Sequence, residues 1–290
     1  MPSSSPPPSP TATHCVTQPS RCGYPDATTT GAQDRTALRR VPQDLTSGTG
    51  WRWDARGWLQ VTDDNAVVEN VEVSGSIDVK GAGATIRNVV ILVSGDTWGI
   101  ALRHTTNVTI TRTTIGSAGL TPRLMVGIKD IYGDAVGTTV TANDIAGTST
   151  GVQIGTGLIR DNYIHDLGMV DGDHVNGITS NGSDRRLVIE HNTVLNRFSQ
   201  TDAIGLFQDF GVEADRLISD NLVAGGGWTV YAGDNKRFGP THDITVVGNR
   251  FSKIYFPNGG SYGPGASFDV QGVGNSWSGN FWDEDLSPVA

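Results

Sequence analysis

LIRDNYI (158–164), VIEHNTV (188–194), LISDNLV (217–223) and TVVGNRF (245–251) are versions of one pattern. In each, apolar residues alternate with polar ones, and an asparagine falls at the fifth position. TVTANDI (139–145) shares it. The asparagines are Asn143, Asn162, Asn192, Asn221 and Asn249, at successive spacings of 19, 30, 29 and 28 residues. Upstream, VVENVEV (67–73), TIRNVVI (85–91) and TITRTTI (109–115) keep the alternation. A second family interleaves with the first: WGIAL (98–102), VGIKD (126–130), TGVQI (150–154), NGITS (176–180), DAIGL (202–206) and WTVYA (228–232).

Short alternating segments between Gly, Asp and Asn turns read as strands. A unit this small buries its apolar face only by stacking on the next one. Stacking at ~4.8 Å turns equivalent residues into columns, and a column of asparagines bonds amide to amide. The expected fold is all-β: a parallel β-helix, a solenoid of about eight to nine coils. A propeller blade needs a period of about 40 residues and does not fit.

Composition agrees. Gly is abundant at 38 residues, and the net charge is −9. An acidic chain with few cations is a poor partner for nucleic acid. An acidic substrate would need a local basic patch or a bridging cation. No apolar run approaches the ~20 residues that span a bilayer, so no membrane insertion is expected. Residues 1–14 open with MPSSSPPPSPTAT, a Pro/Ser/Thr linker without the basic start and apolar core of a signal peptide. It suits a tether to a further module upstream, such as a carbohydrate-binding one. Residues 15–60 read as an N-terminal cap with a short helical piece near 34–40. Residues 61–290 read as the solenoid. Cys15 and Cys22 suit a disulfide closing a short loop, hence an oxidising, extracellular setting; the alternative is two free thiols. Trp51, Trp53 and Trp58 plug a sheet end or form a sugar-stacking platform, with the plug preferred.

The coils together with CGYPDATTTG (22–31) resemble the right-handed parallel β-helix proteins of the pectate-lyase-like superfamily, and more closely a group of secreted actinobacterial β-helix proteins. The resemblance runs from about Cys15 to Asp285. It implies a secreted protein acting on polysaccharide, while that superfamily hosts several reactions.

Registering the second family on Ile100, Ile128, Val152, Ile178, Ile204 and Val230 yields two further columns. One position on lie Ala101, Lys129, Gln153, Thr179, Gly205 and Tyr231, facing outward with a gap at Gly205. Two positions back lie Trp98, Val126, Thr150, Asn176, Asp202 and Trp228. Three long polar turns, LGMVDGDHV (167–175), LNRFSQTD (195–202) and FQDFGVEAD (207–215), are expected on one side. The candidate catalytic residues are Asp173, His174 and Asp202 as one constellation, with Lys129 and Tyr163. Candidate substrate contacts are Asn176, Gln153, Gln208, Asp209, Trp228 and Tyr231. Asp171, Asp173 and Asp202 also suit a Ca²⁺ ligand set, because hard oxygens spaced D-x-D are what that ion takes. His165, His191, Asp161 and Asp166 read as structural.

Three functions stay open. Polysaccharide lyase chemistry on a uronate glycan, or a related C5-epimerase, needs a base at C5 and a group that neutralises the carboxylate. Lys129, His174 or Tyr163 would be the base. A glycoside hydrolase would use Asp173 and Asp202 as its carboxylate pair. A non-catalytic polysaccharide-binding or adhesive solenoid would use Trp98, Phe207, Phe210, Trp228 and Tyr231. Lyase chemistry is the first reading.

Overall fold

A computed structural model describes residues 14–117 and 121–290. The expected linker, apart from His14, lies outside the described residues. The chain is an all-β parallel solenoid of about 9 turns. A typical coil gives two strands to a 17-stranded sheet and one to an 11-stranded sheet. Gly157–Arg160 and Tyr163–His165 lie in the first, for example, and Asn176–Ser180 in the second.

The asparagine column forms as expected. Asn162 Oδ1 accepts from Asn143 Nδ2 at 2.9 Å and from the Asn143 N–H at 3.0 Å. The pattern repeats through Asn192, Asn221 and Asn249. It extends one coil further to Asn280 in SWSGNFW (276–282), which the sequence reading missed although the asparagine again falls at the fifth position. Each of these asparagines is fully or almost fully buried. The residue before each takes a left-handed conformation, Asp161 at φ 58° and His191 at φ 52° among them, which turns the chain at the corner between two strands. Inside the coil, the column Ile77, Ile100, Ile128, Val152, Ile178, Ile204 and Val230 is buried and pairs strand to strand. Each such side chain contributes about 1.5–3 kcal/mol of burial.

The region from 15 to 60 is not one cap. Its first part is a strap along the 17-stranded sheet. The N–H groups of Cys15 and Val16 donate to the Asp283 carboxylate on the last coil, both at 3.0 Å. Tyr24 stacks on His191 with ring centres 5.5 Å apart. The Gly31 N–H donates to the Ala142 carbonyl at 2.9 Å, and the Gln33 N–H to Asn88 Oδ1 at 2.7 Å. Arg39–Val41 then pairs with the first full coil at Val71–Val73. Only residues from there to Val61 cover the end. The expected helical piece is a single 3₁₀ turn, Arg35–Ala37. A disulfide joins Cys15 and Cys22. Trp51 is buried as a plug and Trp53 packs on the core, whereas Trp58 stands half-exposed beside Trp98 at 6.1 Å. No described helix is long and apolar enough to cross a membrane.

Candidate functional site

The outward column of the 11-stranded sheet runs in register through Gln60, Asp78, Ala101, Lys129, Gln153, Thr179, Gly205 and Tyr231. Strict alternation would put the column two residues back, Trp98 to Trp228, on the inside. The structure puts Thr150 and Asn176 of that column on the outside. A Cβ built on Gly99, Gly127, Gly151 or Gly177 would meet core methyls of Ile115, Ile145, Ile164 or Val194, so these glycines also face inward. Two successive inward residues break the alternation and turn Thr150, Asn176 and Asp202 to the outer face.

Three cavities lie end to end on this face. The first, of about 440 Å³, is lined by Arg56, Trp58, Gln60, Asp78, Lys80, Arg103 and Tyr132. The second, of about 470 Å³, shares Tyr132 and adds Lys129, Asp130, Gln153, Asn181 and Phe210. The third, of about 420 Å³, shares Gln153 and Asn181 and adds Thr150, His174, Asn176, Thr179, Thr201, Phe207 and Asp209. Together they make one groove along the solenoid axis. Trp58, Tyr132, Phe210 and Phe207 line it, and two of these are backed by further groups: Arg103 lies over Tyr132, and Phe207 stacks on Tyr231 at 5.1 Å. At the start of Tyr231's own strand, Trp228 meets Tyr262 at 5.8 Å. A larger cavity, about 770 Å³, opens at the end of the last coil between Phe268, Trp277, Phe281 and Leu286. No acidic or basic side chain lines it, so it reads as the uncovered end of the core.

The long turns do not share one side. Those before Asn176 and Asp202 bring His174 and Thr201 to one rim of the third cavity; the turn after Leu206 brings Phe207 and Asp209 to the other. Asp209 thus stands on the far rim, while Asp202 itself does not line the cavity.

The expected constellation of Asp173, His174 and Asp202 does not form. Asp173 faces Arg123, accepting from Nε at 2.7 Å and from Nη2 at 2.6 Å, and also takes the Val170 N–H at 3.0 Å and the Ser149 hydroxyl. Burial pushes its carboxyl up, but these donors, Arg123 foremost, outweigh burial and hold it at about 2. It is a fixed acceptor that pins the turn. Arg123, 5% exposed at its side chain, also binds Asp96 at 2.6 Å. The sequence reading missed it because one arginine in a turn carries no periodic signal. Asp202 has no exposed surface, and neither carboxyl oxygen has a partner among the described residues. Burial drives its carboxyl well above the usual carboxylate range. The Asp173/Asp202 carboxylate pair thus does not face a common substrate.

The gap at Gly205 is filled from the side. A Cβ there would lie 2.4 Å from Asp202 Oδ2 and 2.7 Å from Oδ1, so the carboxyl covers the glycine on the groove face. Asn176 lies in the floor, its Nδ2 donating to Thr150 Oγ1 at 3.4 Å and to the His174 carbonyl at 3.2 Å. Lys129 sits half-buried at mid-groove with Nζ donating to Gln153 Oε1. Burial lowers its pKa, against the opposing pull of Asp130. The His174 ring is exposed on the rim.

Tyr163 and Gln208 lie elsewhere. Tyr163 belongs to the 17-stranded sheet, stacked on His165 at 3.9 Å and packed against the Cys15–Cys22 loop. Burial first, then Asp166, pushes its phenol to about 12. His165 bonds Asp144 at 2.9 Å and Asp166 at 2.8 Å, a structural role as expected. Gln208 is buried and holds the Gly239 carbonyl at 3.0 Å. Asp171 is exposed in its turn. Among the described residues, the three acids expected to take Ca²⁺ do not gather into a ligand set, since Asp173 serves Arg123 and Asp202 is enclosed. The one cluster with ligand atoms within 4.8 Å of one another is His14, Asp283 and Glu284. There Asp283 already binds Arg250 and the strap.

Tyr132 and Arg103 were also missed. They occupy the turns that leave successive strands of this sheet, as Phe207 does. Registering those turns as well as the strands would have found them. The chain matches no family model, no curated protein and no solved structure.

Proposed function

We propose that the chain is a secreted carbohydrate-active β-helix protein that takes a polysaccharide along the groove of its 11-stranded sheet. The observation that carries this reading is the continuity of the three cavities through Tyr132, Gln153 and Asn181. Eight strands at ~4.8 Å give a run of about 34 Å, long enough for an extended chain and too long for a small metabolite. Aromatic rings stack on sugar faces while amides and hydroxyls meet sugar hydroxyls. The disulfide suits an oxidising, extracellular setting. The superfamily resemblance points the same way.

For the reaction, the groove favours β-elimination over hydrolysis. Hydrolysis loses its carboxylate pair. Elimination needs an amine or imidazole able to give up its proton, and burial brings Lys129 nearer that state. In this reading the neutral Lys129 amine removes the C5 proton of a uronate, the C4–C5 double bond forms as the bond to the 4-oxygen breaks, and the departing oxygen takes a proton from water, leaving an unsaturated sugar. Lys80 and Arg103 line the adjoining cavity, where two cations share the single carboxylate of Asp78 and leave a net positive charge for a uronate. The test is incubation with alginate, pectate and a wider glycan set, read by ultraviolet absorbance and mass spectrometry. Unsaturated products lost in Lys129→Ala support elimination. New reducing ends without the chromophore overturn it in favour of hydrolysis. Binding with no product leaves the adhesive reading, which the aromatic lining alone supports.

A further inference from the structure

Asn176 and Asp202 are register partners on adjacent strands of the groove face. Three of their side-chain oxygens are buried without a partner: Asn176 Oδ1 and both oxygens of Asp202. The amide orientation is not free. Nδ2 must face the His174 carbonyl, because the opposite placement would set two acceptors against each other. In the order Thr150, Asn176, Asp202, Nδ2 lies toward Thr150, which leaves Oδ1 on the side of Asp202.

Two ionised acceptors and a carbonyl cannot satisfy one another. One proton resolves all three. We infer that Asp202 is a protonated carboxylic acid at neutral pH and donates its proton to Asn176 Oδ1, acting as a positioning residue for the cavity floor. The chain of bonds then runs from the Asp202 hydroxyl to Asn176, and from Asn176 to Thr150 and the His174 backbone. It fixes the floor and one rim of the third cavity with no net charge beneath the ligand. Burial alone drives the Asp202 proton affinity upward; no neighbouring charge contributes. The titratable groups on the elements around it are His174 on the preceding turn, Tyr231 on the next strand, Tyr262 against Trp228 of that strand, and Asp209 beyond Phe207. Gly205 is required here, since a side chain would collide with the acid.

The sign with pH follows. The folded chain keeps a proton that the unfolded chain releases near pH ~3.9, so this group's contribution to stability declines as pH rises from there toward its folded pKa. Asparagine at 202 offers the same donor without titrating.

The inference rests on the groove reading only for its functional meaning; the proton itself is tested without any glycan. Infrared spectra of the full chain at pH 7 should contain the carbonyl stretch of a protonated carboxyl. That band should vanish in Asp202→Asn and survive in Glu213→Gln and Asp130→Asn, the other buried acids pushed upward. Asp202→Asn should melt no lower than wild type at pH 7, and Asp202→Ala lower. Should Asp202→Asn not fold, survival of the band in the double variant Glu213→Gln/Asp130→Asn still assigns it, and its loss there overturns the inference. Absence of the band at pH 7, or a melting temperature that rises with added Ca²⁺ in wild type and not in Asp202→Asn, overturns the inference in favour of an ionised carboxylate holding a cation.

Discussion

The two sheets treat the same kind of residue in opposite ways. At the corners of the 17-stranded sheet, each ladder asparagine from Asn162 to Asn249 has its amide oxygen accepting twice and its amide nitrogen donating along the stack and to nearby carbonyls. On the 11-stranded sheet, Asn176 keeps an amide oxygen without a donor among the described residues, beside an equally unpartnered Asp202. A fully satisfied polar column serves the fold. A buried polar pair whose needs are met only by an extra proton, in the floor of a groove, is what a functional face tolerates. The contrast also separates two tyrosines. Tyr163 is locked between His165 and the strap, whereas Tyr132 stands 55% exposed where two cavities meet.

The comparison is broken most severely by removing Arg123. It is buried against Asp173 and Asp96, so Arg123→Ala leaves an unpaired carboxylate and should cost about 3–5 kcal/mol in denaturant unfolding. It should also weaken glycan binding by freeing the turn that carries His174. Next comes the ladder. Asn192→Ala leaves the buried Asn162 N–H without its acceptor, while Asn162 Nδ2 keeps the Val140 and Arg160 carbonyls; about 1–3 kcal/mol is expected by the same measurement. Binding by the surviving folded fraction should be unchanged. Tyr132→Ala should leave stability alone and weaken glycan binding about tenfold, which corresponds to about 1.4 kcal/mol, in titration calorimetry. Tyr163→Phe should change neither binding nor turnover.

Acid sharpens the same contrast. The folded Asp173 carboxyl sits at about 2, below its unfolded value of ~3.9, so the stability it contributes is present above pH ~4 and is lost as pH falls toward 2. Amide exchange of residues 167–175 should therefore accelerate in that window before the ladder strands open.

Much of this was legible in the chain. The asparagine period fixed the coil, and registering NGITS on DAIGL placed Asn176 beside Asp202 correctly. Column arithmetic works because stacked strands share one spacing. What it cannot supply is which way a side chain turns once alternation breaks. The paired inward residues at Gly177 and Ile178 reverse the outlook of Asn176, and nothing in a period-2 pattern announces that. Nor does sequence show that Asp173 is claimed by Arg123, fifty residues upstream. The strap escaped for a similar reason. CGYPDATTTG has no periodicity, and its partners lie as far away as Asp220.

The most direct test of the central claim is hydrogen–deuterium exchange of the full chain with and without a polysaccharide found by the glycan screen. Bound glycan should protect Leu124–Asp130, Thr148–Gln153 and Asn176–Ser180 together with the turns that follow them, and leave the strap unchanged. Protection confined to the strap or to the 17-stranded sheet would contradict it.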